Sequence, residues 1–272
     1  MSIHTSPVPD RRTSVVPMVS WQSAWSTERI LVLLALGIFL IYGTFRAFEN
    51  NLYDTTRVTT AFANGVVPHY LSPFYSPPIQ NWFSLPFGLS AALFLLIFPG
   101  SFRFTCYFCR RTYYRAIFGT PPACAAREVL QRSRYTGERE FPWTLQNLHR
   151  YTLYFILIFV AFHWIHLFEA LRFKDATGAT RFGIGVGTLV FGLDTLFLSL
   201  YVFSCHSFRH LIGGVLDRFS ASPLRHRLWV GVSHLNERHG LYFWLSLITV
   251  GLADFYVRSV CAGWITDLHV LF

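Results

Sequence analysis

Long apolar blocks separated by polar, proline-rich or arginine-rich stretches run along the whole chain. The blocks cover about residues 30–48, 82–104, 147–173, 187–210 and 240–264. Each is close to the roughly 20 residues that a helix needs to cross the hydrocarbon core of a bilayer. The blocks are continuous, whereas soluble strands and helices alternate apolar and polar positions with periods of 2 and 3.6 residues. The pattern predicts an all-α polytopic membrane protein, a bundle of five transmembrane helices.

The two parts of the chain differ in composition. Residues 1–29 contain Pro7, Pro9 and Pro17 and have no short apolar core followed by a small-residue cleavage site. We therefore expect a loose cytoplasmic tail at 1–29 and not a signal peptide. Residues 30–272 are predicted to form the membrane bundle.

The arginines are unevenly distributed between the two sides of the predicted bundle. Nine arginines lie between residues 103 and 150, around the loop that joins the second and third blocks, and five lie between 209 and 238. Loops on the opposite side carry fewer basic residues. Cytoplasmic loops of membrane proteins are enriched in Lys and Arg, so the N-terminus is predicted inside and the C-terminus outside.

Composition supports the membrane interpretation and limits the alternatives. The chain is 53% hydrophobic and 14% charged, with a mean hydropathy of +0.38. The net charge of +9 does not indicate nucleic-acid binding, because the arginines flank the apolar blocks and form no aromatic-interleaved basic face. Four of the five cysteines fall on the predicted cytoplasmic side, where disulfides are rarely kept. Metal-binding or packing roles are therefore favoured for them.

Thiol and imidazole side chains from four predicted helices share one depth near the cytoplasmic face. These candidate ligands are Cys106, His149, Cys205, His206, His210 and His239, and Cys124 is an alternative in a proline-rich loop that can fold over them. Polar groups are costly in lipid, so their convergence predicts a cofactor site. The alternative is that the histidines lie beside lipid head groups and the cysteines only pack.

Two cofactors suit these residue types. Two Cys and two His ligate a Rieske-type [2Fe-2S] cluster, whereas a haem b takes histidines from facing helices. His206 and His210 are spaced i, i+4 and project from one face, so they cannot grip opposite sides of one haem. We favour a Rieske-like [2Fe-2S] centre with Cys106 and Cys205 as the thiol pair and keep haem b as the alternative.

Other polar residues suggest a quinone site and buried charges. Arg209, with Tyr113 and Trp229 near the same level, can bind a quinone carbonyl by a charge-assisted hydrogen bond, although Arg209 can equally extend to a lipid phosphate. Asp194 and Asp254 fall inside predicted spans. We expect each to accept a hydrogen bond or ion pair from a neighbouring helix, with proton relay as the alternative.

Five sequence motifs in a fixed order resemble a known family. They are FTCYFCRRTYYRA at 104–116, PPACA at 121–125, NLHRY at 147–151, SCHSFRHLIGG at 204–214 and LADFYVR at 252–258. Together they resemble the cytochrome b-like membrane anchor of actinobacterial-type succinate dehydrogenases and fumarate reductases, the respiratory complex II enzymes. The resemblance runs from the second block to the fifth.

The resemblance implies a place in a multi-subunit enzyme of the bacterial plasma membrane. A flavoprotein subunit would oxidise succinate, as in the tricarboxylic acid cycle, and an iron–sulfur subunit docked on the cytoplasmic face would pass electrons through this chain to menaquinone. The chain itself would do no chemistry on succinate. A small extra membrane subunit can be accommodated, and lipid is the other expected partner.

Three other functions compete with this one. The chain can be a cofactor-free structural anchor, or a cytochrome b-like subunit of another respiratory dehydrogenase. A transporter is disfavoured, because transporters carry internal repeats and broken helices with polar residues at the midplane, whereas the polar residues here gather at one interface.

Overall fold

Helices dominate the architecture, as the sequence pattern predicts. The computed structural model describes residues 18–58, 65–82, 89–109, 141, 143–175, 177–214 and 218–272. Its α-helices are α1 Met18–Glu49, α2 Ala91–Leu95, α3 Ile97–Thr105, α4 His149–Glu169, α5 Val186–Phe203, α6 His206–Gly213, α7 Pro223–Glu237 and α8 His239–Cys261. Large apolar side chains on the outer surfaces of α1, α4, α5 and α8 remain exposed, as a lipid-facing surface requires.

Four helical segments in the described residues are long and apolar enough to cross a membrane. They are Ile30–Glu49, Thr144–Glu169, Val186–Phe203 and His239–Cys261. In the described part of the predicted second span, 82–104, the apolar helical segment is the shorter Ala91–Thr105, so the count of five spans stays a prediction. This segment is divided between α2 and α3 because Pro99 has no N–H to bond the carbonyl of Leu95.

The predicted fourth span, 187–210, is also divided. Helix α5 ends at Phe203, and Cys205 has extended backbone angles (φ −66°, ψ 143°) that no α-helix accommodates. His206 and His210 therefore belong to a separate short helix, α6. The following helix, α7, occupies a stretch that the hydropathy pattern treats as a loop, and Pro223 fits its first turn,.

A small antiparallel sheet closes one end of the bundle, which we call the sheet end. Its strands are β1 Val67–Pro68, β2 Arg172–Lys174, β3 Thr180–Gly185 and β4 His269–Leu271, in the order β1-β2-β3-β4. Phe173 of β2 is fully buried and contacts the ring of Tyr70 edge-on. The sheet lies in segments that the arginine distribution predicts to be outside.

An ion-pair network ties α1 to α8 near the sheet end. The side chains of Arg46 and Asp254 are both fully buried, with Arg46 Nε 2.7 Å from Asp254 Oδ2. Asp254 also accepts hydrogen bonds from Tyr42 and Ser72. Arg46 further pairs with Glu49 at 2.5 Å. The network satisfies charges that would otherwise be costly in lipid.

Candidate cofactor site

Two thiols and two imidazoles meet at the opposite end of the bundle, which we call the cluster end. Cys106 follows α3, His149 opens α4, Cys205 joins α5 to α6, and His239 opens α8. All four are buried. Because each residue stands at a helix end, the polar groups come together where the chain enters or leaves the bundle.

The four side chains contact one another in pairs. Cys106 Sγ lies 3.2 Å from His239 Nε2, and Cys205 Sγ lies 3.0 Å from His149 Nε2. Cys106 also contacts Cys109 and Cys205. Hydrogen bonds from these two thiols lower the pKa of Cys106. The structure thus brings Cys106 and Cys205 into contact, and their role as the thiol ligands of a cluster stays a prediction.

A hydroxyl group orients each imidazole. Thr105 Oγ1 donates to the carbonyl of Ser101 at 2.7 Å and lies 2.9 Å from His149 Nδ1. Ser204 Oγ donates to the carbonyl of Tyr201 at 3.1 Å and lies 2.7 Å from His239 Nδ1.

The hydroxyls decide which ring nitrogen carries the proton. Since each hydroxyl proton is used on a carbonyl, the hydroxyl oxygen accepts from the Nδ1–H of the imidazole. The Nε2 lone pair of His149 then faces Cys205, and that of His239 faces Cys106. Hydrogen bonds of this kind to the second nitrogen hold metal-binding histidines in the right tautomer.

Aromatic rings enclose the site on its bundle side. His149 stacks on Phe102 with the ring centroids 4.6 Å apart, and His239 stacks on Tyr201 at 5.0 Å. The guanidinium of Arg103 lies over the ring of Tyr201, 4.7 Å from its centroid. The rings exclude water from the imidazoles and fix their planes.

A cavity of about 860 Å³ opens beside the four residues and includes all of them in its lining. Gln146 also lines it, is 3% exposed, and has no hydrogen-bond partner for either side-chain amide atom among the described residues. A buried amide without partners is costly, which marks Gln146 as a group available to a ligand. Gln146 is not among the site residues predicted from the sequence.

The remaining predicted ligands are placed differently. His206 and His210 contact each other, with 3.0 Å between their Nε2 atoms. His206 lines the large cavity, but neither residue joins the paired contacts of the four buried side chains. Cys124 lies outside the described residues.

The structure describes two of the three residues predicted to bind quinone, Arg209 and Trp229. Arg209 lies over the ring of Trp229 at 4.7 Å and donates from Nε to Ser233 Oγ at 2.9 Å. The structure thus brings Arg209 and Trp229 together, as expected. Tyr113 lies outside the described residues.

The described residues contain no group of three or more His, Cys, Asp or Glu side chains that would hold a single metal ion as they stand. The arrangement is instead two Cys–His pairs joined through the contact between Cys106 and Cys205. A dinuclear cluster takes two protein ligands at each of two irons, so a donor set of two thiols and two imidazoles fits its chemistry.

Fold and site together define an integral membrane helical bundle with buried thiols and imidazoles at one end. The model of the family described as actinobacterial succinate dehydrogenase subunit SdhC matches residues 27–263, and the chain belongs to this family. A chain of the Mycobacterium smegmatis Sdh1 complex in the apo form is similar, with 34% sequence identity and a TM-score of 0.75 over 98% of this chain and 96% of that one. No curated protein sequence matches.

Membership of the family establishes the broad role. The chain is a multi-pass anchor in the bacterial plasma membrane and a subunit of a succinate dehydrogenase complex. The resemblance seen in the five sequence motifs is thereby confirmed.

Proposed function

We propose that Cys106, Cys205, His149 and His239 hold a Rieske-like [2Fe-2S] cluster, through which the anchor passes electrons from the iron–sulfur subunit to menaquinone. The observation that carries this proposal is the orientation of both histidines. Each Nδ1 is engaged by a hydroxyl, so each Nε2 faces a buried thiol with its lone pair available. Bound there, such a cluster would accept and release one electron at a time.

The residues of this chain would set the properties of the site. Thr105 and Ser204 fix the imidazole tautomers and so keep Nε2 able to bind metal. Phe102 and Tyr201 keep water away from the rings, and Arg103 places a positive charge within 4.7 Å of the Tyr201 ring centroid. A nearby cation favours an added electron at the site, and low water access strengthens that attraction because charges are less screened there.

The haem alternative is less well supported by the geometry. A haem between His149 and His239 would need both Nε2 atoms to face an open gap, yet each lies 3.0–3.2 Å from a cysteine sulfur. The thiols would have no role as haem ligands in such a site. The donor set therefore favours iron and sulfide over a macrocycle.

The partner subunits and the quinone are proposed at the cluster end. The large cavity there opens at the face that the arginine-rich loops predict to be cytoplasmic, where the iron–sulfur subunit can dock. Arg209, held over the ring of Trp229, is the cation proposed to donate a hydrogen bond to a quinone carbonyl. Tyr113 is a further proposed quinone contact. A small additional membrane subunit is compatible with the exposed apolar surface of α1.

Metal and sulfide analysis of the purified complex tests the cofactor. Cys205→Ser is compared with Cys261→Ser, which alters a buried cysteine at the sheet end. We expect the wild type and Cys261→Ser to contain about two more irons and two more acid-labile sulfides per complex than Cys205→Ser. Equal iron and sulfide in all three proteins would refute the cluster. A haem Soret band that survives Cys205→Ser would favour haem b, and equal iron and sulfide in all three proteins without a Soret band would favour a structural anchor.

A further inference from the structure

A second buried carboxylate lies deep in the bundle, away from the cofactor site. Asp194 of α5 is fully buried, and neither of its carboxylate oxygens has a hydrogen-bond partner among the described residues. The nearest ionisable atom is Nε2 of His163 on α4, at 3.8 Å. His163 is itself buried, and its Nδ1 lies 2.8 Å from the carbonyl of Phe159.

These contacts restrict where protons reside. A carbonyl only accepts, so Nδ1 of His163 carries a proton and Nε2 faces Asp194. An isolated charge is expensive in lipid. The pair therefore holds one shared proton, either as a carboxylic acid beside a neutral imidazole or as a carboxylate beside an imidazolium. Both forms have no net charge, so the proton can change owner at little electrostatic cost.

Two more ionisable residues continue from His163 toward the sheet end. His166 and Glu169 follow at successive i, i+3 positions of α4, and the six steps from residue 163 to residue 169 rise about 9 Å. His166 Nδ1 lies 2.7 Å from Glu169 Oε2, while His166 Nε2 is buried and has no partner in the described part of the chain. The Glu169 side chain is 33% exposed, so the series reaches the surface.

In the other direction His163 borders a second cavity, of about 350 Å³. Its lining is apolar apart from a few groups, of which Arg103 and His163 are ionisable. Arg103 packs on Tyr201, which stacks on His239 of the cofactor site. The cavity thus lies between the His163–Asp194 pair and the cofactor site. The charged groups that act on Asp194 are His163 and Arg103.

We propose that Glu169, His166 and His163 form a proton path from the sheet-end surface to this cavity, with Asp194 as the carboxylate that shares a proton with His163. The inference rests on the proposed quinone reduction, which needs protons. Succinate oxidation to fumarate releases two protons and two electrons at the flavoprotein, and the quinone takes up two electrons and two protons to form the quinol. The path supplies the two protons that the quinone takes up, one per electron, from the side of the membrane opposite the flavoprotein. Small movements or a water molecule close the 3.8 Å gap between His163 Nε2 and Asp194 Oδ2,.

Proteoliposomes that contain the complete complex can separate the two sides. Because succinate does not cross the bilayer, added succinate drives only complexes whose flavoprotein faces outward, and their sheet ends face the lumen. A pH-sensitive dye trapped in the lumen and the absorbance of a short-chain quinone are followed together. In the wild type we expect quinol formation with luminal alkalinisation. Asp194→Asn and Glu169→Gln should slow the alkalinisation at least about ten-fold, as loss of an acid–base group does.

The control variants distinguish loss of the path from general damage. Ser199→Ala removes a buried hydroxyl from the same helix as Asp194 and should leave the luminal signal unchanged, and Asp194→Glu should retain much of it. Infrared difference spectra should contain a protonated-carboxyl C=O band that is missing in Asp194→Asn. Quinol formation without luminal alkalinisation in the wild type, or undiminished alkalinisation in Asp194→Asn, would overturn the path and leave the proposed function intact. If no quinol forms at all, both are overturned.

Discussion

Two of the buried aspartates in the described part of the chain, both on helices of the bundle, have opposite surroundings. Asp254 on α8 and Asp194 on α5 are both fully buried. Asp254 accepts hydrogen bonds from Arg46, Tyr42 and Ser72, while Asp194 accepts none from the described residues and has only His163, at 3.8 Å. Fully paired, Asp254 is a fixed structural contact. Without donors, Asp194 is free to gain and lose a proton, which is what a transfer site requires.

The same contrast separates the two ends of the molecule. At the sheet end, Arg46 and Asp254 neutralise each other and connect α1, α8 and the loop that carries Ser72. At the cluster end, thiols and imidazoles face one another with lone pairs available. Polar groups therefore stabilise the fold where they are matched with each other, and the unmatched groups are those to which we assign the proposed cofactor and proton path.

The largest effect is expected from breaking the matched pair. Arg46→Met leaves Asp254 buried without its cation, which should destabilise the protein by about 3–5 kcal/mol. The measurement is the resistance of the purified complex to unfolding by denaturing detergent. The double variant Arg46→Met with Asp254→Leu removes both charges and should recover most of the loss. A change under about 1 kcal/mol in Arg46→Met would mean that the pair does not hold α1 to α8.

An intermediate effect is expected from the hydroxyls that orient the imidazoles. Thr105→Ala and Ser204→Ala each free one Nδ1 and should weaken cofactor binding about 10–100-fold, as loss of an outer-shell partner does. Iron retained by the complex after graded exposure to a chelator measures the change. Thr249→Val, which removes a half-buried hydroxyl of α8 that bonds only its own helix, is the control. Retention equal to that of the control would contradict the assigned tautomers.

The smallest effect on stability is expected at the unmatched aspartate. Asp194→Asn removes no hydrogen bond seen in the structure, so resistance to unfolding should change by less than about 1 kcal/mol. The same detergent titration measures it, beside Arg46→Met. A loss as large as that of Arg46→Met would show that Asp194 is a structural contact after all.

The sequence was sufficient to predict that the thiols and imidazoles of the candidate site lie at one level of the bundle, while their binding of a cofactor stays a prediction. The apolar blocks and the arginine distribution place Cys106, His149, Cys205 and His239 at the same ends of their helices. What remained hidden was the break after Phe203, since a single extended residue inside a hydrophobic run leaves no signature in hydropathy. His206 and His210 therefore appeared equivalent to the four buried side chains.

Long-range contacts were beyond sequence reasoning. Arg46 and Asp254 lie 208 positions apart, and only the packed bundle reveals that they are partners, although a hydrogen bond or ion pair was expected for Asp254. The orienting hydroxyls did leave a signal: a hydroxyl residue immediately precedes each cysteine, in Thr105-Cys106 and Ser204-Cys205. The sheet was missed because its strands are short and lie in loop-like segments.

The most direct test of the central claim is pulsed electron paramagnetic resonance of the succinate-reduced complex, prepared with ¹⁵N-labelled histidine. Clusters of the proposed iron–sulfur subunit would give a constant background, because the substitutions Cys106→Ser and Cys261→Ser lie in this chain. We predict a [2Fe-2S] signal with two directly coordinated imidazole nitrogens in the wild type and in Cys261→Ser, absent from Cys106→Ser. A spectrum without histidine nitrogen coupling, or one unchanged by Cys106→Ser, would contradict the assignment of the cluster to these four residues.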